Sequence, residues 1–398
     1  MSTQPSIFSR GFLLLCLVNL LAFTAFFMLI PVLPVYLLHD LHAGRTATGI
    51  LLALYVLAAL LVRPLSGFIV DSFPRKPVFL ACTALFACVF PGYLCITQLV
   101  LLGALRTLHG MAFGLYNTSS STLVVDIVPA ERLGTGIGIF SLTTAVSMAL
   151  GPMLGLLLYE NTSPDAVFQT ALGLAAACAL LGLFVPATHA PRIHTADARK
   201  GPAARFFLPR AGRAAFSVAC ASFCYGLVLN YISVFVREQG LDINAGWYFC
   251  VMAVGMVITR MCTGRLIDGG KLLHVMTAGM TFIMLSSTII PLWNGIAGFF
   301  VSATLMGLGI GVIMPAAQTM FVHLARPDQR GVANSSFFIS WDAGIAAALF
   351  AGGFAAELLS FGTVFLCGSG VLLWAIAFFV RIVGPAYRKD AQHGPGNI

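Results

Sequence analysis

The chain has 398 residues, of which 59% are hydrophobic and 9% charged, with a formal net charge of +8. A soluble domain carries about 25% charged residues, so water cannot solvate most of this surface and lipid must cover it. The basic excess sits in short loops rather than on a stripe, which argues against a nucleic-acid partner, and the ten cysteines lie in apolar runs without CxxC spacing, which argues against disulfides, a metal site or a metal cofactor.

A membrane helix takes about 20 mostly apolar residues. Twelve segments qualify: 11–38, 46–70, 76–96, 97–126, 133–159, 165–186, 213–237, 244–268, 272–292, 296–324, 331–357 and 361–384. The first follows Arg10, is too long for a signal peptide and has no small-x-small cleavage site, so it is expected to be a retained span. It carries Asn19. Between spans 2 and 3 stands "GFIVDSFPRK", which sets Gly67, Asp71, Arg75 and Lys76 between two apolar runs. Gly67 would let another helix approach closely. Asp71 would end span 2 beside a helix N-terminus such as that at Gly331, where free N–H groups favour a carboxylate. Arg75 would reach Asp126 at the foot of span 4. Such contacts would latch the two halves on the inner side; the alternative is that Arg75 and Lys76 only orient the turn.

Span 4 reads "LRTLHGMAFG" and places Arg106 and His109 on one helix face within the bilayer. Arginine keeps its charge in proteins, so Arg106 would bind an anion or tune an acid. Histidine suits proton transfer, or is a packed polar residue. Span 4 also carries Asn117. Span 5 reads "SMALGPMLGLLL", in which Gly151, Pro152 and Gly155 would bend the helix and permit close packing. After span 6 the polar, basic, Pro/Gly-rich segment 187–212 divides the spans six and six. The expected organisation is an N-terminal bundle (1–186), a linker loop (187–212) and a C-terminal bundle with a short tail (213–398). Span 7 holds Asn230 and Tyr231, span 8 Arg260, and span 10 Gln318. Span 11, "FFISWDAGIAAA", holds Trp341 and Asp342. Of fourteen acids, only Asp342 sits mid-span. A carboxylate there is a functional candidate by default: it would carry a coupling proton, or pair structurally with a cation such as Arg260. Asn19, Asn117, Asn230, Tyr231, Gln318, Trp341 and Arg260 would line a substrate cavity, or join helices by hydrogen bonds.

The halves repeat. "RPLSGFIVD" (63–71) aligns with "RMCTGRLID" (260–268) at an offset of 197, and the same offset maps Gly110 to Gly307, Gly114 to Gly311 and Glu160 to Glu357. Charged matches are informative because charges are rare here, so a duplication is expected, with a substrate site between the halves. With both termini inside, 17 of the 22 basic residues fall on the inner side, six of them between Arg192 and Arg213, and only Arg45 and Arg237 on the outer side. That asymmetry orients the chain.

Twelve spans, a six-plus-six repeat and "GFIVDSFPRK" together resemble the major facilitator superfamily, whose signature in this loop matches at Gly67, Asp71, Arg75 and Lys76, with Pro74 at a usual glycine. "LRTLHGMAFG", "SMALGPMLGLLL" and "FFMLIPVLPVYL" are similar to patterns of its drug–proton antiporter branch; Leu156 replaces the second glycine of the span 5 motif, and span 1 lacks an acid. The resemblance implies an all-α membrane protein of two pseudo-symmetric six-helix bundles. It implies proton-coupled export of a small organic molecule across the inner membrane, with Asp342, Arg106 and His109 in coupling. Uptake by symport, or a non-transporting sensor or scaffold, are the alternatives. HExxH, GxSxG and Walker A sequences are missing, so neither an enzyme nor direct ATP drive is expected. The remaining partners expected are the lipid bilayer and protons, with the chain a monomer.

Overall fold

The computed structural model describes residues 8–129, 133–186, 207–325 and 330–393, and among these it contains helices and no strand. The helices are α1 (Arg10–Val35), α2 (Arg45–Ser72), α3 (Arg75–Cys95), α4 (Leu99–Ile127), α5 (Leu133–Asn161), α6 (Pro164–Gly182), α7 (Gly212–Glu238), α8 (Gly246–Asp268), α9 (Leu272–Leu292), α10 (Ile296–His323), α11 (Arg330–Leu358), α12 (Phe361–Phe378) and a short α13 (Gly384–His393). Each expected span coincides with one of the first twelve. π-helical turns extend α1 through Tyr36–Asp40 and link α12 to α13 through Phe379–Val383. Among the described residues, eleven helices are long and apolar enough to cross a membrane, and α8 contributes a further apolar stretch, Gly246–Arg260. Residues 187–206 of the expected linker lie outside the described residues. Its end forms a 3-10 turn, Pro209–Ala211, anchored where Leu208 N–H donates to Ser336 Oγ at 2.7 Å.

Local chemistry starts and stops the helices. Ser9, Ser163 and Ser360 cap α1, α6 and α12, each hydroxyl accepting from a backbone N–H three residues on. Gly240 (φ 62°) and Gly270 (φ 74°) follow the ends of α7 and α8 in the left-handed conformation that suits glycine. Inside the helices, hydroxyls such as those of Thr83, Thr118 and Ser340 donate to carbonyls four residues earlier, so polar side chains need not disturb an apolar interior. Large apolar side chains point outward, Val100 at 86% and Leu61 at 75% exposure, as lipid-facing positions do.

The chain folds as two compact units: Met1–Ala43 with Leu54–Thr195, and Gly44–Ala53 with Ala196–Ile398. Their internal packing matches helix for helix. In the first, α1 packs on α5 and α6, and α3 on α4 and α6; in the second, α7 packs on α11 and α12, and α9 on α10 and α12. The glycines repeat the match at atomic scale. A Cβ on Gly110 would lie 2.1 Å from the carbonyl oxygen of Tyr55, and one on Gly307 2.1 Å from that of Met252. Gly114 abuts Ala59 and Val62; Gly311 abuts Met256 and Thr259. Every contact partner obeys the 197-residue offset, so the same backbone-to-backbone approach of two helices was built twice.

Candidate functional site

The expected inner turn is only partly visible. Gly67 and Asp71 lie in the last turns of α2, but their side-chain surroundings are outside the described residues, as are those of Gly331 at the start of α11. Arg75 opens α3 and ion-pairs with Asp126 near the end of α4; both side chains are about nine-tenths buried. Each charge opposes its own helix dipole, a cation at an N-terminus and an anion at a C-terminus, so each needs the other. The pair lies within the first unit and fastens α3 to α4. Lys76 is half-buried beside it.

Arg106 and His109 lie in a buried aromatic chamber of the first unit, at 7% and 0% exposure. The guanidinium carbon sits 4.5 Å from the centre of the Tyr55 ring, and Nη1 donates to Tyr93 Oη at 3.4 Å. Tyr93 Oη lies 2.9 Å from His109 Nδ1. Arginine only donates, so Tyr93 accepts from it and directs its own hydrogen at Nδ1; the reverse arrangement would leave the tyrosine hydrogen without an acceptor. The neutral imidazole then carries its proton on Nε2. That donor and Arg106 Nε are both buried without an acceptor among the described residues. Tyr55, Phe86 and Phe90 wall in the imidazole, and a cation over a desolvated ring gains about 2 kcal/mol. Arg106 makes no ion pair among the described residues, so the chamber holds net positive charge and two donors awaiting an acceptor.

Asp342 is half-buried in the middle of α11. Arg260 is half-buried and forms no ion pair among the described residues, so the two do not pair with each other. Next to Asp342, Trp341 is buried with its ring 5.6 Å from that of Tyr225. Several cavity candidates are engaged in joining helices. Asn19 Nδ2 donates to Thr143 and Thr144 at 2.8 and 3.1 Å, and Ser120 donates back to Asn19 Oδ1 at 3.4 Å, which ties α1, α4 and α5 together. Tyr231 donates to the Leu349 carbonyl at 2.8 Å, joining α7 to α11. Asn230 donates to Gly226 O in its own helix. Asn117 and Gln318 are half-buried. In α5, a Cβ on Gly151 would lie 2.6 Å from Phe27 Cβ, and one on Gly155 2.5 Å from Met28 O, with Pro152 between them. This motif sets the contact of α5 with α1.

One cluster went unrecognised in the sequence. In the second unit, Arg45 at the start of α2 pairs with Glu238 at 2.5 Å, donates to the Ala356 and Leu359 carbonyls and lies 5.3 Å from the Phe361 ring centre. Glu357 accepts from Thr46 N–H at 3.0 Å. Below them Gly49 and Gly353 meet backbone to backbone. The available signals were Arg45 as one of two basic residues expected on the outer side, and Glu357 as a repeated acid.

Comparisons agree with this architecture. The sequence profile described as Major Facilitator Superfamily matches residues 15–273 and 245–396. The chain is 24% identical over 368 residues to an uncharacterized MFS-type transporter, YhhS, of Salmonella paratyphi C, covering 89% of this chain and 87% of that one. It is 22% identical over 358 residues to the staphylopine export protein of Staphylococcus aureus (strain Mu50), covering 86% and 89%. Among solved structures, the fold superposes on the human organic anion transporter MFSD10 with a TM-score of 0.71 at 18% identity, covering 94% of this chain and 100% of that one. A POT family transporter gives 0.79 at 12% identity, with 95% and 96% covered. The chain is a multi-pass membrane protein and belongs to the Major Facilitator Superfamily.

Proposed function

We propose that the protein exports a small organic molecule in exchange for protons, by alternating access, from a cell inner membrane with both termini cytoplasmic. The observation that carries the coupling is Asp342, the one acid at mid-span. A carboxylate at that depth is costly unless it serves a function, and in this reading it takes up and releases the coupling proton as the cavity opens to either side. The direction of transport rests on similarity to a protein named for staphylopine export. The orientation rests on the 17 to 2 division of basic residues. In this reading the bundles 1–186 and 213–398 alternate about the linker 187–212, and the monomer suffices. Asp71 latches the inner side, while Arg75 and Asp126 hold α3 and α4 in place for it. Arg106 and His109 offer their unsatisfied donors to an acceptor on the substrate, or bias proton transfer.

The test is transport in proteoliposomes under an imposed pH gradient, with proton movement read by an internal dye. Candidate compounds should move against the gradient-driven protons in the wild type. Asp342→Asn should keep exchange of substrate for substrate and lose proton-driven accumulation. A stable Asp342→Asn protein that accumulates normally overturns the coupling role. Substrate and protons moving in the same direction would establish uptake by symport instead.

A further inference from the structure

At one end of the second unit a groove of about 590 Å³ runs between α9 and the segment from α12 to α13. One wall is a helical stripe of α9 that begins at His274, passes Thr277 and ends at Phe282, nine residues and about 12 Å along the axis. The facing wall passes from Phe379 and Val380 to Gly384 and Arg388. Gly384 contributes no side chain, and this leaves the space open between Leu273 and Phe379.

The groove is polarised along its length. Its mouth carries Arg388 and His274, both exposed, and no acid lines it among the described residues. Arg388 forms no ion pair among the described residues. The hydroxyl of Thr277 is spent on the Leu273 carbonyl at 2.9 Å, so the free donors are those of the two cationic-type side chains. The other half is apolar, with Phe282 half-buried and Val380 52% exposed. The helix that carries Arg388 is anchored beside the mouth. Tyr387, the neighbour of Arg388, hydrogen-bonds His323 Nδ1 at 2.7 Å, with the two rings stacked, which anchors α13 to the end of α10.

We propose that this groove is a binding site for a phospholipid with an anionic headgroup. The phosphate would meet Arg388 and His274, and the upper acyl chain would lie along Phe282 and Val380. The charge decides between lipids. A zwitterionic headgroup brings its own cation to a mouth that already holds Arg388, with Arg381 on the same segment and Lys271 at the start of α9. An anionic one neutralises them, each basic side chain near an anionic lipid surface gaining about 1 kcal/mol, or about fivefold in occupancy.

The experiment is native mass spectrometry of the full-length protein in micelles holding equal amounts of phosphatidylglycerol and phosphatidylcholine with identical acyl chains. The wild type should retain phosphatidylglycerol several-fold more often. Arg388→Gln should lose about fivefold of that preference, Arg388→Lys should restore most of it, and Arg210→Gln, at an exposed site elsewhere in the unit, should leave it intact. All these positions are exposed, so the variants should fold. Inorganic phosphate should not displace the lipid. Equal retention of both lipids, or a preference untouched by Arg388→Gln, overturns the proposal. Displacement by phosphate alone would make this an anion site and refute the lipid.

Discussion

Arg75 and Asp126 offer a measurable test of how the adjoining ends of α3 and α4 are held. Both side chains are about nine-tenths buried, so solvent screens them little. At a charge-assisted hydrogen-bond distance of about 2.8 Å and an effective dielectric constant of about 20, their attraction is about 6 kcal/mol before desolvation. Removing one partner of a buried ion pair typically costs about 3–5 kcal/mol. The charge that remains still faces the wrong end of its own helix dipole, a further cost of about 0.3–1 kcal/mol. Asp126→Asn and Arg75→Gln should therefore each lower the apparent Tm of the detergent-purified protein by roughly 5–10 °C. The double variant buries no charge and should recover most of the loss. The same cycle by thermal unfolding gives the coupling free energy, expected at about 2–4 kcal/mol. Additive single effects, or a double variant less stable than either single one, would refute the argument that mutual neutralisation stabilises this junction.

Other outcomes follow from contacts of the same kind. An alanine at Gly110 or Gly307 sets its Cβ 2.1 Å from a carbonyl oxygen of the neighbouring helix, so each substitution should force the helices about 1 Å apart and destabilise by about 1–3 kcal/mol in thermal unfolding; normal stability of both variants would refute the close approach. Arg45→Gln should change stability by under about 1 kcal/mol, because Arg45 and Glu238 are 35% and 25% exposed. It should nevertheless speed hydrogen exchange at the amides of Thr46–Ala53, and unchanged protection there would show that Arg45 does not hold the segment. Asp71→Asn should shift the conformational balance by about 1 kcal/mol, a several-fold change in populations, and raise labelling of inner-side cysteines; unchanged labelling in a normally expressed variant would rule out the latch.

What the sequence by itself determined was the solvent, the number of crossings, and the duplication. These depend on quantities that add along the chain: run lengths of apolar residues, rare charges, and a constant offset between Gly110 and Gly307 or Arg63 and Arg260. The ion pair between Arg75 and Asp126 was legible too, because two charges at the ends of neighbouring spans have few other partners. Helix rotation was not legible. A helix apolar all round carries no stripe to say which face meets protein and which meets lipid, and only close packing decides. Hence Asn19, which the sequence left between a cavity wall and a helix joint, ties three helices together, and Tyr93, indistinguishable in sequence from other span tyrosines, stands between Arg106 and His109. Arg45 read as an orientation signal, yet two of its hydrogen bonds end on backbone carbonyls of residues more than 300 positions away. Carbonyls carry no sequence signature. Contacts made to backbone, and glycines chosen to let backbone approach, appear only when the helices are seen packed.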